Sequence, residues 1–485
     1  MRRHHWKACL ALLSAFSGCT LGPNFTQPDP PLDTRFTKQA THTAASPSVQ
    51  GVRQEIVYGQ ELNGEWWTIF QSPTLNKTVS DAVAGNRTLA SMTATLLQAQ
   101  ELAASASGAL YPQVGLTGGV GRQKYGAQFL GSFKVPPFTY FSVGSTVSYA
   151  LDYDGLIARG VEQRYAMVDY TREQKEAAYL TVTGQAVIQV IALASARAQI
   201  AVLQELLAQD QQNLKLVQNA FDEGSVARID LVSAQSQIAS DMTLFPPLRQ
   251  DVSRASHALS ILMGKTPAAG SIPNIELADL VLPASIPVSL PSALAHHRPD
   301  VLAAEARLHA ATAAVGVADA NLYPKIQLSA AWGQQALNAE QIFDGSSAAW
   351  SLISGLTAPL FDGGSLRAQK RAAVDALRAS AADYQQSVLD AFGQVADSLE
   401  ALDHDGEQLD AQMGAQQAAR SALDLARASY AEGNAGILQV LDAQRVYQQS
   451  GLGYVRSLAQ RYLDTAQLIL ALGGTLPTTP ATGSE

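Results

Sequence analysis

"FDEGSVARIDLVSAQ" (221–235) and "YAEGNAGILQVLDAQ" (430–444) are two versions of one turn, set 209 positions apart. In each, an aromatic residue, a glutamate and a glycine interrupt a long helical pattern, and Ala-Gln closes the stretch. Glycine at that point allows the positive φ that ends a helix. A chain that breaks two long helices alike, at a fixed offset, reads as a duplication.

The duplication extends outward from the turns. "ALYPQVGL" (109–116) pairs with "NLYPKIQL" (321–328) at an offset of 212, and "DYDG" (152–155) with "LFDG" (360–363) at 208. "LMGKTP" (262–267) answers "LGGTLP" (472–477) less closely. Each half opens with a helix, over 75–110 and 299–322, stopped by Tyr-Pro because proline disfavours helical geometry in the residue before it. Long proline-free helices follow over 157–221 and 365–430, and each would span roughly 100 Å at 1.5 Å per residue. Such helices must project as a rod or tube. Ile200, Leu203, Leu207, Leu214, Val217 and Phe221 form a coiled-coil seam, with Asp210 at its one skipped position. Returning helices run over 227–263 and 437–472, and Pro246-Pro247 should kink or break the first.

Strands lie between the opening and long helices. Val114, Leu116 and Val120 alternate with Gly115, Thr117, Gly119 and Gly121; Phe141, Val143, Val147, Tyr149 and Leu151 alternate with small or polar residues. The second half repeats this with Ile326, Leu328 and Trp332, then with Trp350, Leu352, Leu356 and Leu360. Strict alternation marks a sheet with one apolar and one watered face. About ten residues per strand also suits a tilted strand that crosses a membrane. A soluble two-faced sheet would give the same alternation; glycine and serine on the polar face, with aromatics at the strand ends, favour a barrel. Four strands cannot close one, and open edges are not tolerated in lipid. The chain must therefore pool strands with copies of itself, and a trimer would supply twelve.

The N-terminus speaks to compartment. Arg2, Arg3 and Lys7 precede an apolar run from Ala8 to Phe16 and the small residues Ser17-Gly18, the layout of a signal peptide over 1–18. "SGC" then resembles the end of a bacterial lipobox, with Cys19 as the lipid anchor, although Phe16 stands where leucine is usual. A plain secretory signal with Cys19 incidental is the alternative. Loss of 1–18 would take the net charge from −9 to −12. Residues 19–50, rich in Pro, Thr and Ser, read as an extended tether. The other cysteine is Cys9, so the body holds no disulfide and no thiolate metal site. With 42 acidic against 33 basic residues and no basic run in the body, nucleic acid is not an expected partner.

No catalytic or cofactor motif is present: no nucleophile elbow, no phosphate-binding loop, no HExxH. "HHRPD" (296–300) reads as a solvated helix start, "DHD" (403–405) as a wet helix face, and Asp362-Gly363-Gly364 as a strand-to-helix corner and cap. Catalytic, cofactor and metal residues are therefore expected to be none.

"RPDVLAAEARLHAATAAVGVADANLYPKIQLSA" (298–330) and "APLFDGGSLRAQ" (358–369) resemble signature stretches of the outer-membrane factor family, the TolC-like exit channels. "CTLGPNF" (19–25) and "GEWWTIFQSPTLNKTV" (64–79) narrow the likeness to the NodT-type lipoprotein branch. The resemblance implies a mainly α fold with a small β part: a trimeric α-barrel in the periplasm plus a 12-stranded transmembrane β-barrel in the outer membrane. It also implies a passive exit duct for drugs or other toxic small molecules, served by a periplasmic adaptor and an inner-membrane pump. The parts would be 1–18 signal, 19–50 lipidated tether, 51–263 first repeat, 264–298 equatorial linker, 299–473 second repeat and 474–485 flexible tail. "DYDG" departs somewhat from the form usual in relatives.

In relatives the glycine turns are the periplasmic tips, so Gly224 and Gly433 take that role by resemblance. Asp442 matches an aspartate lining the closed mouth and Leu438 an apolar gate residue; their i, i+4 spacing puts both on one helix face. Ser233 stands where the first half would carry the aspartate, so a trimer would hold three such aspartates rather than six. A duct for type I protein or peptide secretion, and a non-pore coiled-coil lipoprotein, remain open as alternatives.

Overall fold

The computed structural model describes residues 20–29, 35–37, 54–59, 65–125, 136–270 and 273–474. The signal segment 1–18, Cys19, most of the tether and the tail beyond 474 lie outside the described residues. In chain order the elements are β1 (Glu55–Tyr58), α1 (Pro73–Gly85), α2 (Arg87–Ser107), β2 (Gln113–Gln123), β3 (Phe138–Leu151), α3 (Leu156–Asp222), α4 (Arg228–Met242) and α5 (Phe245–Leu262). There follow β4 (Ser285–Val288), α6 (Pro291–Leu294), α7 (Pro299–Ala320), β5 (Lys325–Ala336), β6 (Ala348–Thr357), α8 (Ser365–Ala431) and α9 (Ile437–Ala471). The long helices α3 and α8 each hold 67 residues.

The duplication is visible in the helix ends. Gly264 and Gly473, at matching places in the two halves, have φ of +69° and +91° and close α5 and α9 with the same pair of backbone bonds. In each, the glycine N–H reaches three residues back and the next N–H reaches five back, the Schellman arrangement. The strand-to-helix corners match too. Asp362 accepts from the N–H groups of Gly364 and Leu366 at 2.9 and 2.7 Å, the corner and cap that its sequence suggests. Those bonds hold its carboxyl below the usual range. In the first half, Asp154 accepts from Leu156, while Asp152 accepts from Ile157 and Ala158 at 2.7 Å each.

Two local readings change and one holds. The opening helix over 75–110 is two helices parted at Asn86. Asn86 caps α2 by accepting from Thr88 and Leu89 and ties it to the Leu262 carbonyl at 3.0 Å. A side chain at Gly85 would meet the Met263 carbonyl at 2.2 Å, so the chain passes there only as glycine. The double proline does break the returning helix, with Pro246 in the first turn of α5. Leu360 lies beyond the end of β6 rather than on its apolar face.

By its own contacts the chain forms two compact units, and neither coincides with one repeat. Among the described residues, the first takes those within 20–28, 95–172 and 303–385; the second takes those within 29–94, 173–302 and 386–474. The first unit holds an antiparallel sheet in the order β2-β3-β5-β6. Val114 pairs with Val147, Tyr149 with Leu328 and Trp332 with Trp350, which brings the apolar residues to one face. Gly144 sits opposite Gly333, and a side chain on either would strike the other strand's backbone at under 3.0 Å. The apolar face is bare: Leu116 is 81% exposed, Trp350 78% and Leu352 75%. A soluble sheet would cover such a face with its own chain. β2 and β6 have only one neighbour each, so both outer edges are unpaired among the described residues.

The second unit is helical around a core of Trp66, Trp67, Phe70, Leu75, Ile191, Leu259 and Tyr462. Burying each of the large side chains contributes about 2–3 kcal/mol. Trp66 Nε1 donates to Thr183 and Tyr462 Oη to the Leu280 carbonyl, so the polar tips of these two buried aromatics are satisfied. A two-stranded parallel sheet of β1 and β4 belongs to this unit. Two helices, α3 and α7, contain 18-residue stretches apolar enough to cross a membrane, but 50% and 44% of those stretches are covered by the chain itself.

Two charged motifs differ from the wet surfaces that the sequence suggests. Arg298 of "HHRPD" is buried, with forked bonds to Asp300 at 2.9 and 2.6 Å and further bonds to Gln394 and the Ala471 carbonyl. Asp405 of "DHD" is 8% exposed while His404 beside it is exposed; the helix turns that aspartate inward.

Candidate functional site

The candidate site is built on the two hairpin turns. Gly224 and Gly433 have φ of +74° and +76°. Gly224 N–H donates to Phe221 and Ser225 N–H to Ala220; Gly433 N–H donates to Tyr430 and Asn434 N–H to Ser429. Both ends are therefore Schellman caps, and each hands the chain directly to a returning helix. Nothing lies within 4 Å of a side chain built on either glycine, so backbone conformation alone selects glycine there.

Behind the turns, Val217, Leu231 and Ala234 of the first hairpin pack with Leu423, Ile437, Val440 and Leu441 of the second. This cluster settles which face of α9 is free. Ile437, Val440 and Leu441 point inward, so Leu438 and Asp442, one residue further round, point outward. Leu438 is 51% exposed. Asp442 is exposed and is held by Arg445 Nη2 at 2.7 Å. Leu438, Asp442 and Arg445 make one outward stripe at i, i+4 and i+7. Sequence reasoning misses Arg445, although an arginine three places after an acid on a helix is the signal that would find it. Ser233, at the position matching Asp442, is half-buried and carries no charge.

A second set of contacts lies in the first unit. Residues 20–28 are fastened there, where their composition suggests an extended tether. Leu21 N–H donates to the Asp154 carbonyl at 3.0 Å. Arg159, 4% exposed, donates through Nε to the Leu21 carbonyl and through Nη2 to Thr20 and Asn24. Its Nη1 meets Glu162 at 2.7 Å, and Glu162 also bonds His309, on whose ring Phe25 stacks at 4.4 Å. Burial is the largest single influence on the Glu162 carboxyl and would raise it, but Arg159 and His309 together hold it below its usual range. A side chain at Gly22 would strike the Gly316 backbone at 2.5 Å, and one at Gly316 would meet Arg159 at 2.9 Å and the Leu21 carbonyl at 3.0 Å. The chain just after Cys19 is thus bound at the β3-to-α3 corner; Cys19 itself lies outside the described residues.

Among the described residues no three His, Cys, Asp or Glu side chains gather into a metal-binding group. The bare apolar face and the unpaired edges are features of a sheet that faces lipid.

Comparison with known proteins agrees. The chain matches the outer membrane efflux protein family over residues 78–265 and 290–474. It is 28% identical over 477 residues to the toluene efflux pump outer membrane protein TtgF of Pseudomonas putida, covering 98% of this chain and 97% of that one. It is 31% identical over 414 residues to the pyoverdine export outer membrane protein OpmQ of the same species, covering 84% and 87%. The solved outer-membrane channel OprN superposes with a TM-score of 0.84 at 27% identity, covering 94% of this chain and 99% of that one. The family and these relatives are channel proteins. The chain belongs to the outer membrane efflux protein family and is an outer-membrane channel component of an efflux pump.

Proposed function

We propose that three copies of this chain form one continuous conduit. Twelve pooled strands cross the outer membrane as a β-barrel, and the paired long helices make an α-barrel in the periplasm. The observation that carries this is the four-stranded sheet with a bare apolar face and two unpaired edges. Lipid covers such a face, and copies of the sheet pair such edges. Cys19 is the lipid anchor; in support, residues 20–28, which follow it in the chain, are fastened at the start of α3.

In this reading the turns at Gly224 and Gly433 are the periplasmic tips that meet an adaptor protein, and an inner-membrane pump supplies the energy. Leu438 and Asp442 form the constriction at the closed end. Three copies of Asp442 would sit near one axis, each beside its own Arg445, so the constriction presents alternating charges rather than a bare acidic ring. The cargo is a drug or other toxic small molecule, in keeping with relatives named for toluene efflux and pyoverdine export.

Deletion of the gene in its own host, followed by growth on a broad panel of toxic compounds, tests the cargo reading. Sensitisation to at least one compound, reversed by the wild-type chain, supports it. Unchanged tolerance across the panel, together with loss of a secreted protein, would replace it with a secretion duct.

A further inference from the structure

Four buried aspartates in the helical unit are left unused by the gate and the corners. They form two facing pairs, one in each hairpin. Asp210 on α3 faces Asp241 on α4, and Asp405 on α8 faces Asp464 on α9. All four are 8% exposed or less. In both cases the outgoing helix provides the first member and the returning helix the second.

The two pairs obey one register. Asp210 and Asp241 flank Gly224 almost symmetrically, with Asp241 three positions further from the turn than Asp210. Asp405 and Asp464 flank Gly433 in the same way, with the same surplus of three positions on the returning side. The second pair lies two heptads further from its turn than the first. A shift of whole heptads keeps a residue on the same stripe, so both pairs occupy corresponding faces of their hairpins. The pairs are built into the seam rather than scattered along it.

The surroundings are closed and short of positive charge. Along the helices the first pair falls between the tip cluster and a second apolar cluster of Leu203, Phe245, Leu248 and Leu452. From α9, Gln444 donates to Asp210 and accepts from Asn213 at 2.8 Å, while Gln448 donates to Asp241 at 2.9 Å. Gln237 of α4 also donates to Asp241 at 3.0 Å. From α8, Arg427 is the nearby cation, but its guanidinium bonds Gln209 instead of a carboxylate. Around the second pair, Gln460 donates to Asp464 at 2.9 Å, and Asp405 Oδ2 has no donor at all. Arg461 of α9 is the nearby cation; its Nε bonds Gln54, its Nη1 is unpartnered, and Asp410 of α8 also acts on it.

Two carboxylates facing each other in such a site cannot both ionise cheaply. One proton between them converts repulsion into an O–H···O⁻ bond, among the shorter and stronger hydrogen bonds. We propose that each pair is a binding site for one proton, and that this proton clasps the outgoing helix of the hairpin to its returning helix. The orphaned Asp405 oxygen is then satisfied by Asp464. Burial first, and the facing carboxylate second, pushes Asp210 up to about 8, and the same causes push Asp405 up to about 8. At neutral pH the clasps are closed. Near pH 8 each pair gains its second charge, and admitting water between the two helices relieves it. This inference concerns the helical hairpins and does not depend on the cargo.

Linkage gives the direction. Asp210 ionises near 3.8 in an unfolded chain and near 8 in the fold, so its stabilising contribution is full below about pH 4. That contribution shrinks as pH rises and is gone above about pH 8.

The test uses the full assembled protein in detergent. Infrared difference spectra between about pH 6 and pH 9.5 should show a protonated-carboxyl band that disappears with a midpoint near 8. Asp210→Asn should lose roughly half of that band, and Asp210→Asn with Asp405→Asn should lose nearly all of it. Asparagine donates where the shared proton would, so these variants keep the contact and should fold. A spin label on the exposed Ala239→Cys should grow more mobile through the same pH range, and should not do so when Asp210→Asn is also present. The proposal is overturned by a missing band at about pH 6, by a band that both asparagine changes leave intact, or by a label released by a divalent-cation chelator rather than by pH.

Discussion

Gly224 and Gly433 stand at matching places in the two halves and end their helices with the same pair of backbone hydrogen bonds at nearly the same φ. The duplicated unit therefore preserved a backbone geometry and not just a residue type. Replacing either glycine by alanine forces a left-handed conformation on a residue with a side chain, at a cost of about 1–2 kcal/mol. Asparagine should cost less, since it visits that region more readily. Differential scanning of the assembled protein should rank wild type above asparagine above alanine at both positions.

In the proposed constriction, Arg445 offsets the charge of Asp442. Asp442→Ala should leave Arg445 unopposed and move single-channel selectivity toward anions. Arg445→Ala should leave Asp442 unopposed and move it toward cations. The exposed pair itself contributes little stability, about 0–1 kcal/mol, so both variants should assemble normally. Equal selectivity in the two variants would remove Asp442 from the constriction.

Arg298 ties the start of α7 to α8 and to the end of α9. Arg298→Ala leaves the Ala471 carbonyl and Gln394 without their donor, a loss of about 1–3 kcal/mol by the cost of orphaned buried groups. Arg298→Lys should not restore it, because an ammonium cannot supply the fork that meets Asp300. Chemical denaturation of the three proteins side by side checks this.

Arg159 fastens the segment behind Cys19. Arg159→Ala should free residues 20–28, and limited proteolysis should then cut within 20–28 in the variant but not in the wild type. Protection that survives the change would assign the docking to the Phe25–His309 stack and the Gly22–Gly316 contact instead.

The strands are legible in the sequence because alternation needs no tertiary context. Val114, Leu116 and Val120 or Trp350, Leu352 and Leu356 declare a face by themselves. The turns are legible because glycine is nearly obligatory at a positive φ. The break at Asn86 is not legible: it depends on Gly85 meeting Met263, which lies at the far end of the same repeat. Asp210 is visible as the gap in an apolar seam, but its partner Asp241 lies across the hairpin, and only the folded register joins them. Asp405 and Arg298 read as wet because charged residues are mostly exposed, a rule that fails where a partner is waiting inside. The segment 20–28 has a tether's composition, and its place comes from residues distant in sequence, among them Arg159, Asp154 and His309.

In the proposed conduit the sheet is completed by copies of the same chain. The only cysteines are Cys9 and Cys19, so single reactive cysteines can be placed in the body without removing others. Thr117 on β2 and Ser351 on β6 lie on the same polar face at the two free edges. Treating outer membranes that carry Thr117→Cys with Ser351→Cys with a short bifunctional thiol reagent should give covalent dimers and trimers and nothing larger. Monomers alone, or a ladder continuing beyond three, would contradict the closed trimeric barrel.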